Sequence, residues 1–400
     1  MEILFVSHKY PPATGGMEKQ SFELINGMKH YAKVHALVYE SKESRLKFFW
    51  KLNGRINRLC KAHPGISMIH FNDALIAACS LTHHGYRRLK RTMTVHGLDV
   101  VFPSFIYQRL ILPRFNRFDL IIAVSQATRN ACIQRNIQED KVIVIQNGVD
   151  TLIKPKASRL EIDHLLHERY QLHSSGKHIL VAMGRPVKRK GFSWFISKVM
   201  PALHQDFILL LIGPACGEAD HDKRFQLLPG FLRNRLELFL GYPSDAAQIC
   251  ALLKDTSVNQ RVKHLGKLPL QELTAIISAA DAYVMPNIPI AGDMEGFGLV
   301  CLEAAMCGTR VFASRLEGIT DAIHHGKNGF LVPPANASAW IETLNQLRND
   351  TNSFNWTAEE SIAFTRQTFS WQRMTERYLE AFRKLVNEKE TTEAITIIKA

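Results

Sequence analysis

Two glutamates, Glu295 and Glu303, flank seven residues at the junction between a loop and a helix-forming run. Gly296-Phe297-Gly298 follows Glu295 directly, and residues 299–306 are mostly apolar. The first turn of a helix has unpaired N–H groups and a partial positive charge, so this junction is suited to bind a diphosphate. Glu303 is expected ~7–9 Å beyond the helix start, a phosphate-to-ribose distance. The spacing predicts that one ligand contacts both carboxylates.

A purely structural interpretation of these glutamates is also open. The positive N-terminal end of the helix dipole would then stabilise the charge of Glu295, and Glu303 would be a solvated helix residue. Against this, Glu303 stands in the run Leu-Val-Cys-Leu-Glu-Ala-Ala-Met, where a lone carboxylate is costly unless something pairs with it. A pair of ligand hydroxyls would supply that partner.

A second candidate anion site follows the apolar run 179–183. The sequence Gly184-Arg185-Pro186-Val187-Lys188-Arg189-Lys190-Gly191 has four cations within six residues, at a predicted strand end. Arginine binds phosphate through two hydrogen bonds, and lysine supplies a point charge. The loop therefore predicts an anion clamp, with a solvated surface loop as the alternative.

Two strand ends in the first half of the chain are further candidates. A predicted strand, Glu2–Ser7, leads into a loop with Gly15 and Gly16 and then a helix, which is the opening of an α/β unit. His96 follows another predicted strand and precedes a glycine. Ligands of open α/β sheets bind at the carboxyl ends of strands, although a turn and a structural histidine remain the alternatives.

Two of these patterns together resemble a known family. Glutamate, seven residues, glutamate and Gly-Arg, four residues, Lys-Gly are similar to motifs of the retaining glycosyltransferases of family 4 (group 1), which have the GT-B fold. The resemblance implies that Glu295 and the backbone that follows bind the transferred sugar and the distal phosphate. It implies that Glu303 binds the ribose, and that Arg185 and Lys190 bind the diphosphate. The donor-binding backbone would be that of Gly296, Phe297, Gly298 and Leu299.

The same resemblance extends to the first half of the chain. It implies that Gly15 and Gly16 face the donor phosphate and the acceptor, and that His96 lies near the transferred sugar. We find no convincing nucleophilic carboxylate, so retention is expected through same-face attack guided by the leaving phosphate. We identify no Asp-x-Asp metal site, and no cofactor is expected besides the nucleoside-diphosphate sugar as co-substrate, so the chemistry is predicted to be metal-independent.

The order of strands and helices predicts an α/β protein with two halves. The resemblance implies that these are the two Rossmann-like domains of the GT-B fold, which face each other across a cleft. Residues 1–150 form the predicted acceptor-binding domain, 151–177 a linker with a helical piece, and 178–368 the predicted nucleotide-sugar-binding domain. A charged helical region is expected at 222–240. Residues 369–390, with Phe369-Ser370-Trp371 and Tyr378, resemble the family's helix that crosses back to the first domain, and 391–400 are expected to be a frayed tail.

Composition narrows the class of protein. A chain of 400 residues, 46% of them hydrophobic, can bury the cores of two domains. Seven cysteines without a CxxC pair indicate reduced thiols in a cytosol, and the sequence offers neither a signal peptide nor a membrane span. The net charge of +13 favours an anionic partner. We exclude nucleic acid because no helix-turn-helix, zinc-finger or RNA-recognition pattern is present.

The basic segment 42–62 predicts an amphipathic helix. Phe49, Leu52, Ile56 and Leu59 have helical spacing, with Lys47, Lys51, Arg55 and Arg58 on another face. The helix is expected either to dock its apolar side on the sheet or to bind an anionic membrane surface. The predicted location is cytoplasmic, with a peripheral position on the inner face of the membrane as an extension.

The resemblance implies a retaining transferase that moves a sugar from a nucleoside-diphosphate sugar to an acceptor. The basic first domain favours a lipid-linked or cell-envelope glycan precursor as acceptor. One alternative is a nucleotide-sugar epimerase of similar two-domain architecture. Another is a non-catalytic peripheral membrane binding protein.

Overall fold

The computed structural model describes residues 1–82, 85–86, 88–152, 157–214, 244–349 and 354–399, with side chains up to residue 387. The helical region predicted at 222–240 lies outside this part. The chain divides into two compact units. Unit 1 comprises Met1–Gly148 and Phe369–Ala400, and unit 2 comprises Val149–Thr368.

Unit 1 contains a six-stranded parallel sheet in the order β2-β1-β3-β4-β5-β6. Its strands are β1 Glu2–Ser7, β2 Lys33–Val38, β3 Ile66–Phe71, β4 Lys90–Val95, β5 Leu120–Ala123 and β6 Val142–Val144. Helices alternate with them: α1 Gly16–Met28, α2 Arg45–Ala62, α3 Ala74–Ser80, α4 Leu98–Val101 and α5 Gln126–Ile133. Strands covered on both faces are almost continuously apolar, which explains why β1 is easily recognised in the sequence.

Unit 2 contains a second six-stranded parallel sheet, in the order β12-β11-β10-β7-β8-β9. Its strands are β7 His178–Met183, β8 Phe207–Ile212, β9 Val262–Gly266, β10 Ala282–Met285, β11 Val311–Ser314 and β12 Phe330–Val332. Its helices are α6 Arg159–Tyr170, α7 Phe192–Lys198, α8 Ala246–Leu253, α9 Thr256–Asn259, α10 Leu270–Ala279, α11 Leu299–Met306, α12 Ile319–Ala322, α13 Ala337–Asn349 and α14 Ala358–Thr368. Two parallel α/β sheets confirm the predicted fold class.

The predicted linker has a different role in the structure. Its helix α6 begins with a capping box between Ser158 and Glu161. Ile162 and Leu166 of this helix are buried in the same core as Ile179 of β7. The polar composition of residues 151–177 suggested a connection, but two apolar side chains one helical turn apart are enough to anchor this helix to the sheet.

The C-terminal helix α15, Trp371–Lys399, belongs to unit 1. Tyr378 is fully buried and its hydroxyl group hydrogen-bonds to Thr94 of β4 at 2.9 Å. The return of this helix to the first domain is thus confirmed. The expected frayed tail is not, because the helix continues through residues 391–399. No glycine or proline occurs between Trp371 and Ala400 to end it.

Each sheet has one point at which the strand order reverses. In unit 1 the chain proceeds from β1 to β2 on one side and then places β3 on the other side of β1. In unit 2, β8 and β9 extend to one side of β7 and β10 lies on the other. Ligands of open α/β sheets bind outside the carboxyl ends of the strands at such points. The loops after β1, β3, β7 and β10 are therefore where sites are expected.

Within the described residues, no helix is both long and apolar enough to cross a membrane.

Candidate functional site

The loops that follow β7 and β10 meet at the reversal point of unit 2. The cationic loop contains a short 3-10 turn, Lys188–Lys190, and ends at Gly191. Gly191 has φ +66°, and a Cβ atom there would lie 2.1 Å from the carbonyl oxygen of Pro286. Glycine is required at this position because it allows both the left-handed conformation and the close backbone approach.

Glu295 is the centre of this site. One carboxylate oxygen, Oε2, lies 2.9 Å from Lys190 Nζ and 3.3 Å from Arg189 Nε. The same oxygen accepts a hydrogen bond from Asn287 Nδ2 at 3.2 Å. Three donors from two different loops thus fix this carboxylate.

These contacts determine the ionisation of Glu295. Burial of the side chain opposes ionisation, but the charges of Lys190 and Arg189 outweigh it and lower the pKa to about 2. The carboxylate is therefore charged at every physiological pH. An ionised carboxylate is a strong hydrogen-bond acceptor, as binding of sugar hydroxyl groups requires.

Arg189 is a residue whose importance sequence reasoning missed. The Gly-Arg and Lys-Gly pattern singles out Arg185 and Lys190, yet Arg189 Nη1 lies 3.1 Å from Asp293 Oδ2 and the same side chain contacts Glu295. Asp293 is 5% exposed, so this ion pair is shielded from water. The position of Arg189 within a run of cations gave no signal of this role.

Glu317 is a second missed residue. Its carboxylate accepts a hydrogen bond from the backbone N–H of Glu295 at 2.6 Å, and the N–H of Gly318 donates to the carbonyl oxygen of Glu295 at 3.1 Å. Burial and the nearby negative charges of Glu295 and Asp293 raise the pKa of Glu317 to about 7. The loop after β11 thus holds the backbone of Glu295 on both sides.

The remaining predicted donor residues lie at the start of helix α11 and in the cationic loop. Gly298 precedes helix α11 in the left-handed conformation, and Phe297 is buried. Leu299 is the first helical residue, and the half-buried Glu303 lies one turn further along the same helix. Arg185 is exposed, whereas Lys190 is buried against Glu295.

The predicted residues of unit 1 form a separate group. Gly15 precedes helix α1 and Gly16 begins it. His96 follows β4, and its Nε2 donates a hydrogen bond to the carbonyl oxygen of Asn72 at 2.8 Å. Because a carbonyl group only accepts, this contact fixes the tautomer and leaves Nδ1 as the acceptor.

A third feature that sequence reasoning missed is a pair of residues in unit 1, His8 and Asp73. His8 Nδ1 lies 2.8 Å from Asp73 Oδ2, and both side chains are buried. The two residues are far apart in sequence but follow neighbouring strands, since Val6 of β1 pairs with Phe71 of β3. Only knowledge of the strand order would have predicted this contact.

No group of three or more metal-ligating side chains occurs within the described residues. The sequence does contain one Asp-x-Asp pair, Asp220 and Asp222. It stands apart from the motifs above and lies outside the part of the chain that the structure describes.

Comparison with family models matches nearly the whole chain. Residues 3–151 match the model of glycosyltransferase family 4, and residues 167–363 match that of the glycosyl transferases group 1. The first model covers most of unit 1, and the second includes the loops around Glu295.

Among curated relatives, a D-inositol 3-phosphate glycosyltransferase from Corynebacterium urealyticum is 34% identical over 134 residues, which are 34% of this chain and 30% of that protein. The enzyme of the same description from Corynebacterium aurimucosum is 27% identical over 346 residues, 86% of this chain and 72% of that protein. The first alignment thus spans less than a third of the relative.

Among solved structures, Anabaena HepE in complex with UDP superposes with a TM-score of 0.70. The two sequences are 22% identical, and the match covers 96% of this chain and all of the other. At this level of identity the likeness concerns the fold alone.

The two parallel six-stranded sheets and the likeness to HepE show that the chain has the GT-B fold. The chain belongs to the glycosyltransferases of group 1, family 4.

Proposed function

We propose that the protein transfers a sugar from a nucleoside-diphosphate sugar to an acceptor hydroxyl group, with retention at the anomeric carbon. The supporting observation is Glu295, kept ionised by Lys190 and Arg189 at the point where β7 and β10 meet. Its carboxylate would hold the hydroxyl groups of the transferred sugar. Glu303 would bind the ribose, and His96 of unit 1 would contact the transferred sugar.

Stabilisation of the departing diphosphate is the main catalytic task of such a site. Arg185, Lys190 and the backbone N–H groups of residues 297–299 would share its negative charge. Fixed cations and oriented N–H groups are effective here because they need no reorganisation when the bond breaks. No metal ion is required for this arrangement, and retention would follow from attack on the face from which the diphosphate leaves.

We assign donor binding and acceptor binding to different parts of the chain, as the family resemblance implies. Residues 178–368 would bind the donor, and residues 1–150, with Gly15 and Gly16, would bind the acceptor. The relatives are described as D-inositol 3-phosphate glycosyltransferases, and HepE was crystallised with UDP. A uridine nucleotide is therefore the first donor to test, and acceptors with a phosphate group match the net charge of +13.

A membrane-bound acceptor is supported by helix α2. The structure buries Leu52 and Ile56, so this apolar face docks within unit 1. Docking was the first of the two expectations for this helix. The outward face nevertheless has two large apolar side chains, Trp50 and Leu46, which are 90% and 85% exposed. We propose that these residues and their basic neighbours contact the inner face of an anionic membrane, where a lipid-linked glycan precursor is available.

A thermal-shift panel tests the donor proposal. UDP, GDP, ADP and dTDP sugars are compared on the wild type, Arg185→Ala and Lys188→Ala, since a ligand that binds only the folded state raises its stability. Lys188 is the matched control because it is an exposed cation of the same loop. We expect one nucleotide to shift the wild type and Lys188→Ala but not Arg185→Ala. A panel without any shift would contradict the donor site.

Product analysis separates transfer from epimerisation. A transferase releases free nucleoside diphosphate only when an acceptor is present, whereas an epimerase converts the donor and releases none. Membership of a glycosyltransferase family favours the first outcome.

A further inference from the structure

The four cations of the loop 184–191 fall into two groups. Arg185 and Lys188 are exposed. The side chains of Arg189 and Lys190 are only 13% and 10% exposed, and both contact the carboxylate of Glu295. Neighbouring cations of one loop therefore lie in different surroundings, which indicates that they have different tasks.

Arg189 uses its guanidinium group in two directions. Its Nε lies 3.3 Å from Glu295 Oε2, and its Nη1 donates to both oxygens of Asp293, at 3.2 and 3.1 Å. The donors of a guanidinium group point at fixed angles in one plane, so an arginine that binds two carboxylates fixes one relative to the other. Burial alone would lower the pKa of Arg189, but the charges of Glu295 and Asp293 raise it.

Asp293 is the fixed end of this arrangement. Its side chain is 1% exposed, and its Oδ1 also accepts a hydrogen bond from the backbone N–H of Met294 at 2.8 Å. The N–H of Asp293 donates to the carbonyl oxygen of Ile290 at 3.1 Å. Local hydrogen bonds thus hold the carboxylate that orients Arg189.

The backbone on both sides of this contact is also fixed. The N–H of Ile288 donates to the carbonyl oxygen of Arg189 at 2.9 Å, which joins the loop after β10 to the cationic loop. The N–H of Glu295 donates to Glu317 at 2.6 Å. Because the main chain of Glu295 is held, the direction of its carboxylate depends on the side chains that contact it.

Asn287 indicates where a ligand approaches Glu295. Its Nδ2 donates to Glu295 Oε2 at 3.2 Å, whereas its Oδ1 has no hydrogen-bond partner in the described part of the chain. The residue is fully buried. A buried amide oxygen without a donor is unfavourable, and in native proteins such an atom usually meets a ligand or water. A hydroxyl group of a sugar bound at Glu295 would supply the missing donor.

We propose that Arg189 and Asp293 are positioning residues that direct the carboxylate of Glu295 towards the transferred sugar. Asp293 holds the guanidinium group, and Arg189 holds Oε2 of Glu295. The contacts of Glu295 with Arg189, Lys190 and Asn287 all use Oε2, which leaves Oε1 for the sugar hydroxyl groups. Arg189 is then not part of the phosphate clamp, although it stands in the run of cations. The inference rests on the proposed donor site and separates its sugar recognition from its phosphate recognition.

Two consequences distinguish this role from that of a phosphate ligand. Loss of the pair formed by Arg189 and Asp293 weakens the binding of the sugar and leaves the binding of the diphosphate unchanged. The same loss has no further effect once Glu295 has lost its own charge, because the pair acts through Glu295.

The test removes both partners at once. Arg189→Gln combined with Asp293→Asn, the pair variant, keeps the net charge of the site, and replacing both ions of a buried pair is less damaging than removing one. Titration calorimetry with the full chain compares the wild type, the pair variant, Glu295→Gln and the triple variant. The ligands are UDP, GDP, ADP, dTDP and their glucose conjugates, and the conjugate that the wild type binds is used for the variants.

The quantity compared is the Kd of the nucleotide sugar divided by the Kd of the nucleoside diphosphate, in which contacts with the nucleotide cancel. We expect the pair variant to keep the Kd of the nucleoside diphosphate within about twofold and to raise the ratio about tenfold, as for loss of one hydrogen bond to a charged group. Glu295→Gln should raise the ratio at least as much. The triple variant should equal Glu295→Gln, since residues that act through one another are not additive.

A matched control is available elsewhere in unit 2. Arg159 Nη1 lies 2.9 Å from Asp281 Oδ2, so Arg159→Gln with Asp281→Asn also removes an arginine–aspartate pair. We expect the wild-type ratio in this variant. If the pair variant does not fold, Arg189→Lys replaces it, because lysine keeps the charge without the planar fork and should also raise the ratio.

Two results would overturn the inference. Weaker binding of both ligands at an unchanged ratio would show that Arg189 is a phosphate cation. A higher ratio in the triple variant than in Glu295→Gln would show that the pair acts independently of Glu295. A wild-type ratio in Glu295→Gln would instead refute the proposed sugar contact of Glu295, and a wild type that binds none of the nucleotides would refute the donor site itself.

Discussion

Lys190 Nζ lies 2.9 Å from Glu295 Oε2, and the two side chains are 10% and 13% exposed. A diphosphate that binds to Lys190 must therefore share this cation with the carboxylate. Arg189 and Asn287 also contact the same oxygen of Glu295, so Lys190 is one of three partners that hold this carboxylate. Lys190 thus links the proposed sugar-binding carboxylate to the proposed phosphate site.

The first prediction concerns the pH dependence of stability. Because the folded-state pKa of Glu295 is about 2, below the ordinary 4.5, its ionisation stabilises the fold above about pH 4.5, and this contribution is lost as the pH falls towards 2. The shift corresponds to about 3 kcal/mol. Urea unfolding should show Glu295→Gln well below the wild type at pH 7 and close to it near pH 2. Glu342→Gln, at an exposed position of unit 2, should show no such change.

Glu317 should show the opposite dependence. Its folded-state pKa of about 7 lies above the ordinary 4.5. Below about pH 4.5 the carboxyl group is protonated in both the folded and the unfolded state and does not affect stability. Between pH 4.5 and 7 it ionises more readily in the unfolded state, so the fold loses stability as the pH rises. Glu317→Gln keeps an oxygen that accepts from the N–H of Glu295. We expect it to match the wild type at pH 4.5 and to melt at a higher temperature at pH 8. A lower melting temperature at both pH values would show that packing dominates.

Glu303→Ala tests the assignment of the ribose. If Glu303 contacts the ribose equally in the bound donor and in the transition state, its removal raises the donor KM more than it lowers kcat. Steady-state kinetics with UDP-glucose measures both constants. A lower kcat at constant KM would mean that Glu303 acts on the reacting centre.

The outward face of α2 should determine binding to vesicles. Arg55 is paired with Glu43 and is therefore left unchanged. Replacing Trp50, Lys47, Lys51 and Arg58 with serine should reduce sedimentation with anionic vesicles, since each basic residue contributes about 1 kcal/mol. A triple serine variant of the exposed residues Lys198, Lys254 and Lys327 of unit 2 removes three charges elsewhere. Equal sedimentation of the two variants would refute the membrane contact.

Turnover should persist in EDTA. The proposed site stabilises the diphosphate with Arg185, Lys190 and backbone N–H groups, so chelation removes nothing that the reaction needs. The assay is release of UDP with and without EDTA, followed by addition of Mg²⁺. Activity lost in EDTA and restored by Mg²⁺ would direct attention to Asp220 and Asp222.

The sequence by itself determined the class of protein and most of the proposed donor loops. Strands such as β1 and β7 are short apolar runs, because parallel strands are buried on both faces. The glycines and charges of 184–191 and 295–303 act within single loops and helix starts, so their spacing is visible without the fold. Tyr378 and its neighbours predicted helix α15, but they did not predict where it ends, because no glycine or proline follows to stop it.

The tertiary structure alone decided which side chains meet. Arg189 contacts Glu295 from a distant loop, Glu317 reaches the N–H of Glu295 from the next strand, and His8 pairs with Asp73 across two strands. Each contact depends on the order of strands in a sheet. That order follows from the packing of the whole unit and leaves no local pattern in the residues that it brings together.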